Sequence, residues 1–302
     1  TSPPPPSGDG PELPRLLPDT TVPPLTDTVP VSSDLQAAIN AAGSGTLLLI
    51  QGEHVGNYYV SGGSGVQIQG GRITTPNNQA AITFESGASR WKMVDTEVRS
   101  STDQTSTLVA IDGADRITLD HVDLFGHDNL DLRRCVMGNG THSSVLNSSL
   151  TGCHANGFDS QAFVAWNGAG PYWIEGNILE GAGENVMFGG ADPNSAEDIP
   201  ADITFQNNTV RKPAEWFSSQ KWSVKNLFEI KTAVRVLVHN NTFENSWDDA
   251  QSVGINIKSV NQDGGTNGSW SKATDITFTH NTIRNVPTAI SLAAAPKPPV
   301  AE

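Results

Sequence analysis

Four short segments between residues 134 and 230 each begin with a polar residue. The segments are RCVMGN (134–139), QAFVAW (161–166), ENVMFG (184–189) and KNLFEI (225–230). If the segments lie on adjacent strands about 4.8 Å apart, their first residues form a continuous row of Arg134, Gln161, Glu184 and Lys225. A carboxylate in such a row can transfer protons, and the cations can neutralise an acidic group. We call these four residues the polar row and predict that an extended polar substrate binds along it.

The last of these segments adds further charged groups. In VKNLFEIK, Lys225, Glu229 and Lys231 alternate with Asn226, Phe228 and Ile230. Alternate residues of a strand point to opposite faces, so the aromatic and aliphatic set belongs inside. We therefore expect two lysines and a glutamate on the outer surface of one strand.

Residues near the polar row are suited to contact a sugar. A tryptophan ring can stack on the apolar face of a pyranose, and an amide can bond to its hydroxyl groups. The predicted substrate-binding residues are Gln161, Trp166, Trp222, Trp247 and Gln251.

Two reactions on polysaccharides fit these residues, and the sequence favours neither reaction clearly over the other. In a lyase, Arg134 or Lys231 neutralises a uronate carboxylate, and Lys225 abstracts the C5 proton if its pKa is low. In a hydrolase, Glu184 and Asp159 serve as acid and base. The alternative is a non-catalytic glycan-binding or surface-display spacer, in which the charges pair with one another across the rungs and the tryptophans fill loops.

A repeat along the chain supplies the strands that these residues need. The pattern apolar-x-x-Asn-x-apolar occurs as FQNNTV (205–210), VHNNTF (238–243) and FTHNTI (278–283), with weaker copies elsewhere. The first apolar residues of the copies are Ile68, Met93, Leu119, Val145, Ile174, Phe205, Val238 and Phe278. Their spacing starts in the twenties and lengthens toward the C-terminal end. This predicts one rung of a solenoid per repeat, with loops growing from some corners.

The asparagines of the repeat occupy one position in the rung. Asn tolerates the left-handed conformation that a tight corner needs, and its amide can bond to its copy in the next rung. The predicted ladder consists of Asn177, Asn208, Asn241 and Asn281.

The ends of the chain differ from the repetitive body. Residues 1–30 and 294–302 are rich in Pro and are predicted to form a surface-adhering linker and a tail flanking a domain over 31–293. A short helix over 33–42, with Ser33 as its N-cap and Gly43 ending it, is expected before the strand TLLLI (46–50).

These features resemble known families. The asparagine ladder is similar to that of the pectate-lyase-like superfamily, which implies an all-β, right-handed parallel β-helix solenoid with an N-terminal capping α-helix. The stretches 158–193 and 222–251 look like a group of bacterial secreted β-helix proteins of unsettled activity. The same region faintly resembles pectin methylesterases, but Asn185 stands where the nucleophilic carboxylate of that family should be, and Glu184 is displaced by one residue.

Composition narrows the function classes. The formal net charge of −14 disfavours nucleic acid as a partner, and no apolar run is long enough to span a membrane. Cys135 and Cys153 allow at most one bridge, and we favour a buried pair of thiols. The acidic loop 191–202 makes Ca²⁺ a possible cofactor, with Asp192 and Asp198 as metal ligands beside Glu197.

The hypothesis from sequence is an extracellular, secreted or surface-attached, polysaccharide-active enzyme that acts in a groove along the β-helix. A polysaccharide or cell-surface glycan is the expected partner, and a monomer is expected. A pectin-methylesterase-like carbohydrate esterase is a further, weaker alternative.

Overall fold

The computed structural model describes residues 10–259 and 271–293. In these residues the chain winds through three faces of strands, and every strand pairing is parallel. Face 1 contains β1 (Asp27–Val31), β2 (Thr46–Ile50), β5 (Ser64–Gln69), β8 (Ser89–Val94), β11 (Thr118–Asp120), β16 (Gly170–Glu175), β19 (Ala201–Gln206), β22 (Ala233–His239) and β25 (Ala273–Thr279). This is a parallel β-helix, and its right hand stays a prediction.

The other two faces complete each coil. Face 2 contains β4 (Tyr58–Val60), β7 (Ile82–Glu85), β15 (Gln161–Ala165), β18 (Val186–Phe188), β21 (Phe228–Ile230), β24 (Val253–Lys258) and β27 (Thr288–Ala293). Two long strands run from face 2 into face 1: β10 (Val109–Asp115) and β13 (Arg134–Leu146). Face 3 contains β3 (Glu53–Val55), β6 (Arg72–Thr75), β9 (Glu97–Ser100), β12 (Asp123–Phe125), β14 (Ser149–Cys153), β17 (Ile178–Gly181), β20 (Thr209–Arg211), β23 (Thr242–Glu244) and β26 (Thr282–Arg284).

The predicted apolar column is confirmed on face 1. Each of the eight residues from Ile68 to Phe278 is the registered strand partner of the next. Their side chains are buried up to Val238 and partly buried at Phe278. Because identical positions stack at every rung, the core is one continuous apolar column inside the solenoid.

The asparagine ladder is also confirmed, with one correction. Each Nδ2 donates to the Oδ1 of the next asparagine at 2.9–3.0 Å, from Asn177 through Asn208 and Asn241 to Asn281. The left-handed corner residue, however, is the one before each ladder position, with φ values of 73°, 58°, 53° and 58° at Gly176, Asn207, Asn240 and His280. The ladder amides therefore bond inside the corner while their neighbours make the turn.

The helix α1 spans Leu35–Ala41, and Leu35 and Ile39 are buried in the core. Its N-cap is Asp34 and not Ser33, because the Asp34 carboxylate accepts a hydrogen bond from the main-chain N–H of Ala37. The C-cap is Ala42, one residue before the predicted Gly43. That α1 caps the solenoid stays a prediction. The second helix is α2 (Ala214–Ser219), and a 3₁₀ turn spans Ala196–Asp198.

The described part of the N-terminal segment contacts the solenoid. Its last residues belong to β1, which pairs with β2. The main-chain N–H groups of Glu12 and Arg15 donate to Asp275 and Asp202 on face 1. The predicted domain bounds, 31–293, stay a prediction. The Pro-rich tail 294–302 lies outside the described residues.

The preference for free thiols is wrong. Cys135 is the second residue of β13, Cys153 is the last residue of β14, and the two form a disulfide with Cα atoms 5.7 Å apart. This separation falls within the range that a disulfide spans. The bridge joins face 2 to face 3 at the first strand of the polar row.

Candidate functional site

The structure brings the four residues of the polar row together. Arg134 and Gln161 are registered partners on β13 and β15. The Gln161 amide donates to Glu184 Oε2 at 2.9 Å, and Lys225 Nζ lies 3.1 Å from Glu184 Oε1. The row is therefore a chain of contacts across four successive coils.

The register at the last coil differs from the predicted one. Val186 pairs with Phe228, whereas the sequence alignment places Leu227 opposite Val186. The connection between β20 and β21 contains α2, and the register of the coil differs there by one residue. Lys225 still reaches Glu184 because its side chain is long and flexible.

Lys225 binds two carboxylates at once. Its Nζ contacts Asp159 Oδ1 at 2.5 Å and Glu184 Oε1 at 3.1 Å. Burial acts to lower the pKa of Lys225, but the charges of Glu184 and Asp159 outweigh it and raise the pKa above its ordinary value. Lys225 thus stays protonated at neutral pH, which is unfavourable for a general base.

The two carboxylates differ in their access to solvent. The Glu184 side chain is 0% exposed, and that of Asp159 is 47% exposed. Both bind one nitrogen, so they lie closer together than the ~6.5–9.5 Å between the carboxyl groups of inverting glycosidases.

Glu229 forms a second charged centre. Its registered partner is Met187, so it lies on the outward side of β21 as predicted, but its side chain is buried and not exposed at the surface. Its Oε1 accepts from Asn256 at 2.8 Å and lies 3.3 Å from Lys258 Nζ. Its Oε2 accepts from Asn226 at 3.2 Å and lies 3.9 Å from Lys231 Nζ. Burial raises the pKa of Glu229, while Lys231 acts in the opposite direction.

Two buried polar atoms near the row have no hydrogen-bond partner among the described residues. They are Nε of Arg134 and Oδ1 of Asn226. The Arg134 guanidinium lies over the Trp166 ring at 5.4 Å, and Gln251 accepts a bond from the Asn226 amide at 2.8 Å. Trp166 and Gln251 thus contact residues of the site, and their role in substrate binding stays a prediction.

The other two predicted sugar-binding tryptophans lie elsewhere. Trp222 is buried in a second apolar cluster with Trp216 and stacks on His154 with ring centroids 3.7 Å apart. Trp247 packs against that cluster and contacts Phe217. Both belong to the loops that cover face 3, so their assignment to the polar row is wrong.

Sequence reasoning missed Lys212, which supports the loop that carries Glu184. Its Nζ is fully buried and donates to the carbonyl oxygens of Gly181, Ala182 and Gly183 at 2.7–2.8 Å. It also donates to Asn185 Oδ1 at 2.7 Å. A lysine after a strand ordinarily suggests an exposed side chain, so no sequence signal marked it.

The environment of Asn185 disfavours the esterase alternative. It is fully buried, and its Nδ2 donates to the carbonyl oxygens of Leu179 and Arg211. The position that corresponds to the nucleophile in the pectin methylesterase resemblance is therefore an interior amide that supports the loop.

The calcium hypothesis gains no support from the described residues. They contain no group of three or more His, Cys, Asp or Glu side chains that could hold a metal ion. Asp198 accepts a hydrogen bond from the Ser195 hydroxyl at 2.9 Å. Asp192 also makes an interaction of its own.

Comparison with known proteins identifies the fold. No protein-family model and no curated protein sequence matches the chain. Among solved structures, a polygalacturonase from Erwinia carotovora ssp. carotovora is similar with a TM-score of 0.55 and 12% identity, over 92% of this chain and 82% of that one. Pectate lyase Pel9A is similar with a TM-score of 0.52 and 13% identity, over 92% of this chain and 80% of that one. A tailspike protein mutant of E. coli bacteriophage HK620 in complex with a pentasaccharide has a TM-score of 0.50 and 13% identity, over 92% of this chain and 57% of that one.

At these identities the likeness shows the fold alone, and that fold is the parallel β-helix. The similar structures include polysaccharide-active enzymes and a phage tailspike. In the described ranges, no helix is both long and apolar enough to cross a bilayer.

Proposed function

We propose that the protein binds a polysaccharide along face 2 and hydrolyses it, with Asp159 and Glu184 as the pair of carboxylates. The observation that carries this proposal is the shared contact of both groups with Lys225 Nζ. One carboxyl group would protonate the glycosidic oxygen as its bond to the anomeric carbon breaks, and the other would attack that carbon to form a glycosyl ester. Water would then hydrolyse the ester, giving its proton to the first carboxylate. The short separation of the two carboxyl groups predicts retention of configuration.

The cost of burying the charged groups on face 2 indicates that they have a role other than stabilising the fold. Burying ionised groups carries a desolvation penalty that their mutual attraction often only balances. Glu184 and Glu229 are nevertheless buried in ion pairs on face 2, where the outward column at Met137, Val164 and Met187 is apolar. Glu229, whose pKa is raised by burial, is a perturbed titratable group of the kind that clusters at functional sites.

The raised pKa of Lys225 favours hydrolysis over β-elimination. A lyase needs a neutral base to remove the C5 proton, and Lys225 is the base that the sequence offered. Arg134, Lys231 and Lys258 would instead bind acidic or hydroxyl groups of the substrate. A polygalacturonase and a tailspike in complex with a pentasaccharide are built on the same scaffold.

An activity screen tests the proposal. Polysaccharides are incubated with the protein, and new reducing ends and absorbance at 235 nm are measured together. We expect reducing ends without absorbance, lost by at least 100-fold in Glu184→Gln and in Asp159→Asn. Gln104→Ala, far from the row in sequence, is the control. Growth of the 235 nm signal would contradict hydrolysis.

A second candidate is a non-catalytic glycan-binding module. The specific observation in its favour is that the charged groups of the row already pair with one another within the protein. Silence in both assays, together with binding that Lys225→Met weakens, would favour this function. With either function, we expect the protein to act outside the cell.

A further inference from the structure

We propose that Phe158 is a stacking platform for one sugar ring of the polysaccharide, next to the pair of carboxylates. This inference rests on the proposed binding of a polysaccharide along face 2, and it adds the residue that holds the ring. Phe158 comes directly before Asp159 in the chain, and consecutive Cα atoms are about 3.8 Å apart. A sugar ring stacked on Phe158 therefore lies beside the carboxylates.

The Phe158 side chain is accessible to a ligand. It is 51% exposed, although burying an aromatic ring ordinarily stabilises a fold. The other exposed aromatic rings of the described residues are Tyr59 and Phe217. The Tyr59 hydroxyl donates to Gln79, and Phe217 packs edge-on against Trp247. Of the three exposed rings, Phe158 is the one next to a group of the proposed site.

One face of the Phe158 ring is held by Arg133. The central carbon of the Arg133 guanidinium lies 5.9 Å from the centroid of the ring. Because this cation covers one face and half of the side chain is exposed, the opposite face and the ring edge are open to solvent. Arg133 also comes directly before Arg134 of the polar row. The open face is thus within reach of a chain bound along that row.

The loop that presents Phe158 is fixed on both sides. The Gly157 N–H donates to Ser223 Oγ at 2.8 Å, and Gly157 has a φ of 77°, which favours glycine. On the other side, Ser160 is buried, and its Oγ accepts a hydrogen bond from the Gly183 N–H at 3.1 Å. The ring therefore has a set position before a ligand binds, which lowers the entropic cost of binding.

The surroundings of the ring favour a sugar over a protein partner. A pyranose presents C–H groups on one face and hydroxyl groups around its edge, so it suits an aromatic ring with polar neighbours. Asp159, with a side chain 47% exposed, and Arg133 supply such neighbours. A protein partner needs a contiguous apolar patch, but the exposed residues Asn156, Gly157 and Asp159 around Phe158 in the chain are small or polar.

Affinity gel electrophoresis tests the proposal without requiring turnover. The gels contain hydroxyethyl cellulose, xylan, galactomannan, polygalacturonate or alginate. We expect at least one polysaccharide to retard the protein, and Phe158→Ala to weaken that binding at least tenfold. Phe158→Tyr, which keeps the aromatic ring, should restore the affinity to within about twofold of the wild type.

Phe217→Ala is the matched control, because Phe217 is 55% exposed and lies on α2. It should bind as the wild type does. Equal binding by Phe158→Ala and the wild type, or no retardation by any of the polysaccharides, would overturn the proposal. Hydrolysis with unchanged binding in Phe158→Ala rejects the platform and leaves the proposed function intact. Retardation that depends on Phe158 without hydrolysis supports the platform and rejects the hydrolase.

Hydroxyl-radical footprinting gives a second readout in the wild-type protein. The radicals oxidise exposed aromatic side chains, and mass spectrometry measures the oxidation rate at each of them. With the retarding polysaccharide at saturation, we expect the rate at Phe158 to fall at least threefold while the rate at Phe217 stays unchanged. Equal protection of the two rings, or no protection of Phe158, would contradict stacking on Phe158.

Discussion

At the scale of single residues, Lys212 is the most informative side chain. Four oxygen acceptors surround its Nζ at 2.7–2.8 Å, three of them carbonyls of the loop before Glu184. Burial lowers the pKa of Lys212 well below its ordinary value, and the charge of Glu184 opposes this. Because all four neighbours are acceptors, the ammonium form fits the cage better than the neutral amine, whose lone pair would face an oxygen.

Replacing this lysine tests how much the cage contributes. In Lys212→Met we expect the free energy of unfolding to fall by about 3–5 kcal/mol, because buried acceptors lose their partner. Urea unfolding measures the change. The matched control is Lys92→Met, which breaks a partly exposed ion pair with Asp120 and should lose no more than about 1 kcal/mol. Equal losses of unfolding free energy in the two variants would show that the cage stabilises the fold no more than a partly exposed ion pair does.

The burial of His154 predicts a pH dependence. Its pKa is about 4 in the folded protein and about 6.5 when unfolded, so the unfolded chain binds more protons between these values. Stability therefore falls as the pH drops from about 6.5 to 4, by up to about 3 kcal/mol from this residue alone. Urea unfolding across this range should give a shallower slope for His154→Phe than for the wild type. Parallel curves would contradict the prediction.

At the scale of elements, the asparagine ladder can be dissected by position. Asn208 lies inside the ladder, where its Oδ1 accepts from both the main-chain N–H and the amide of Asn177. Asn281 is the last described member of the ladder and only partly buried. We expect Asn208→Ala to lower the unfolding free energy by about 2–3 kcal/mol and Asn281→Ala by about half as much. A larger loss at Asn281 would contradict this ranking.

The sequence predicted the regular elements well because each carried its own marks. Every strand of the apolar column has a ladder residue or turn at a fixed offset, which fixes the register of each coil. The segment before Phe228 has no such mark, since the inserted connection with α2 has its own apolar residues. The register there was wrong by one residue, although the polar row still formed.

The sequence did not predict the long-range pairings, and the reason is different. The cage around Lys212 and the bond between Cys135 and Cys153 each join adjacent faces of the solenoid. A period along the chain predicts which residues stack on one face, but not which corner brings two faces together. The burial of Glu229 has another origin, because Asn226 precedes it on the same coil and Asn256 is its registered partner on the next coil of face 2.

At the scale of the whole molecule, the N-terminal segment breaks the rule that a coil contacts only its neighbours. The Glu12 N–H donates to Asp275 at 3.2 Å, and the Arg15 N–H donates to Asp202 at 2.8 Å. Further along, Asp19 pairs with Arg90, and the Thr26 N–H donates to the Gly45 carbonyl. Residues 12–26 thus link the last described coil of face 1 to its first coils.

This strap should couple the stability of distant coils. In the double variant Asp202→Ala and Asp275→Ala we expect amide hydrogen exchange to accelerate at residues 10–15 and in β25, while β5 and β8 keep their protection. Both positions have positive φ, at 54° and 56°, so an alanine there adds backbone strain. Asp95→Ala, at φ 50°, imposes the same kind of strain without touching the strap, and it controls for that effect. If β25 exchanges no faster in the double variant than in Asp95→Ala, the segment only lies on the surface. If it does, the strap explains how a Pro-rich end can stabilise coils that lie far apart along the solenoid.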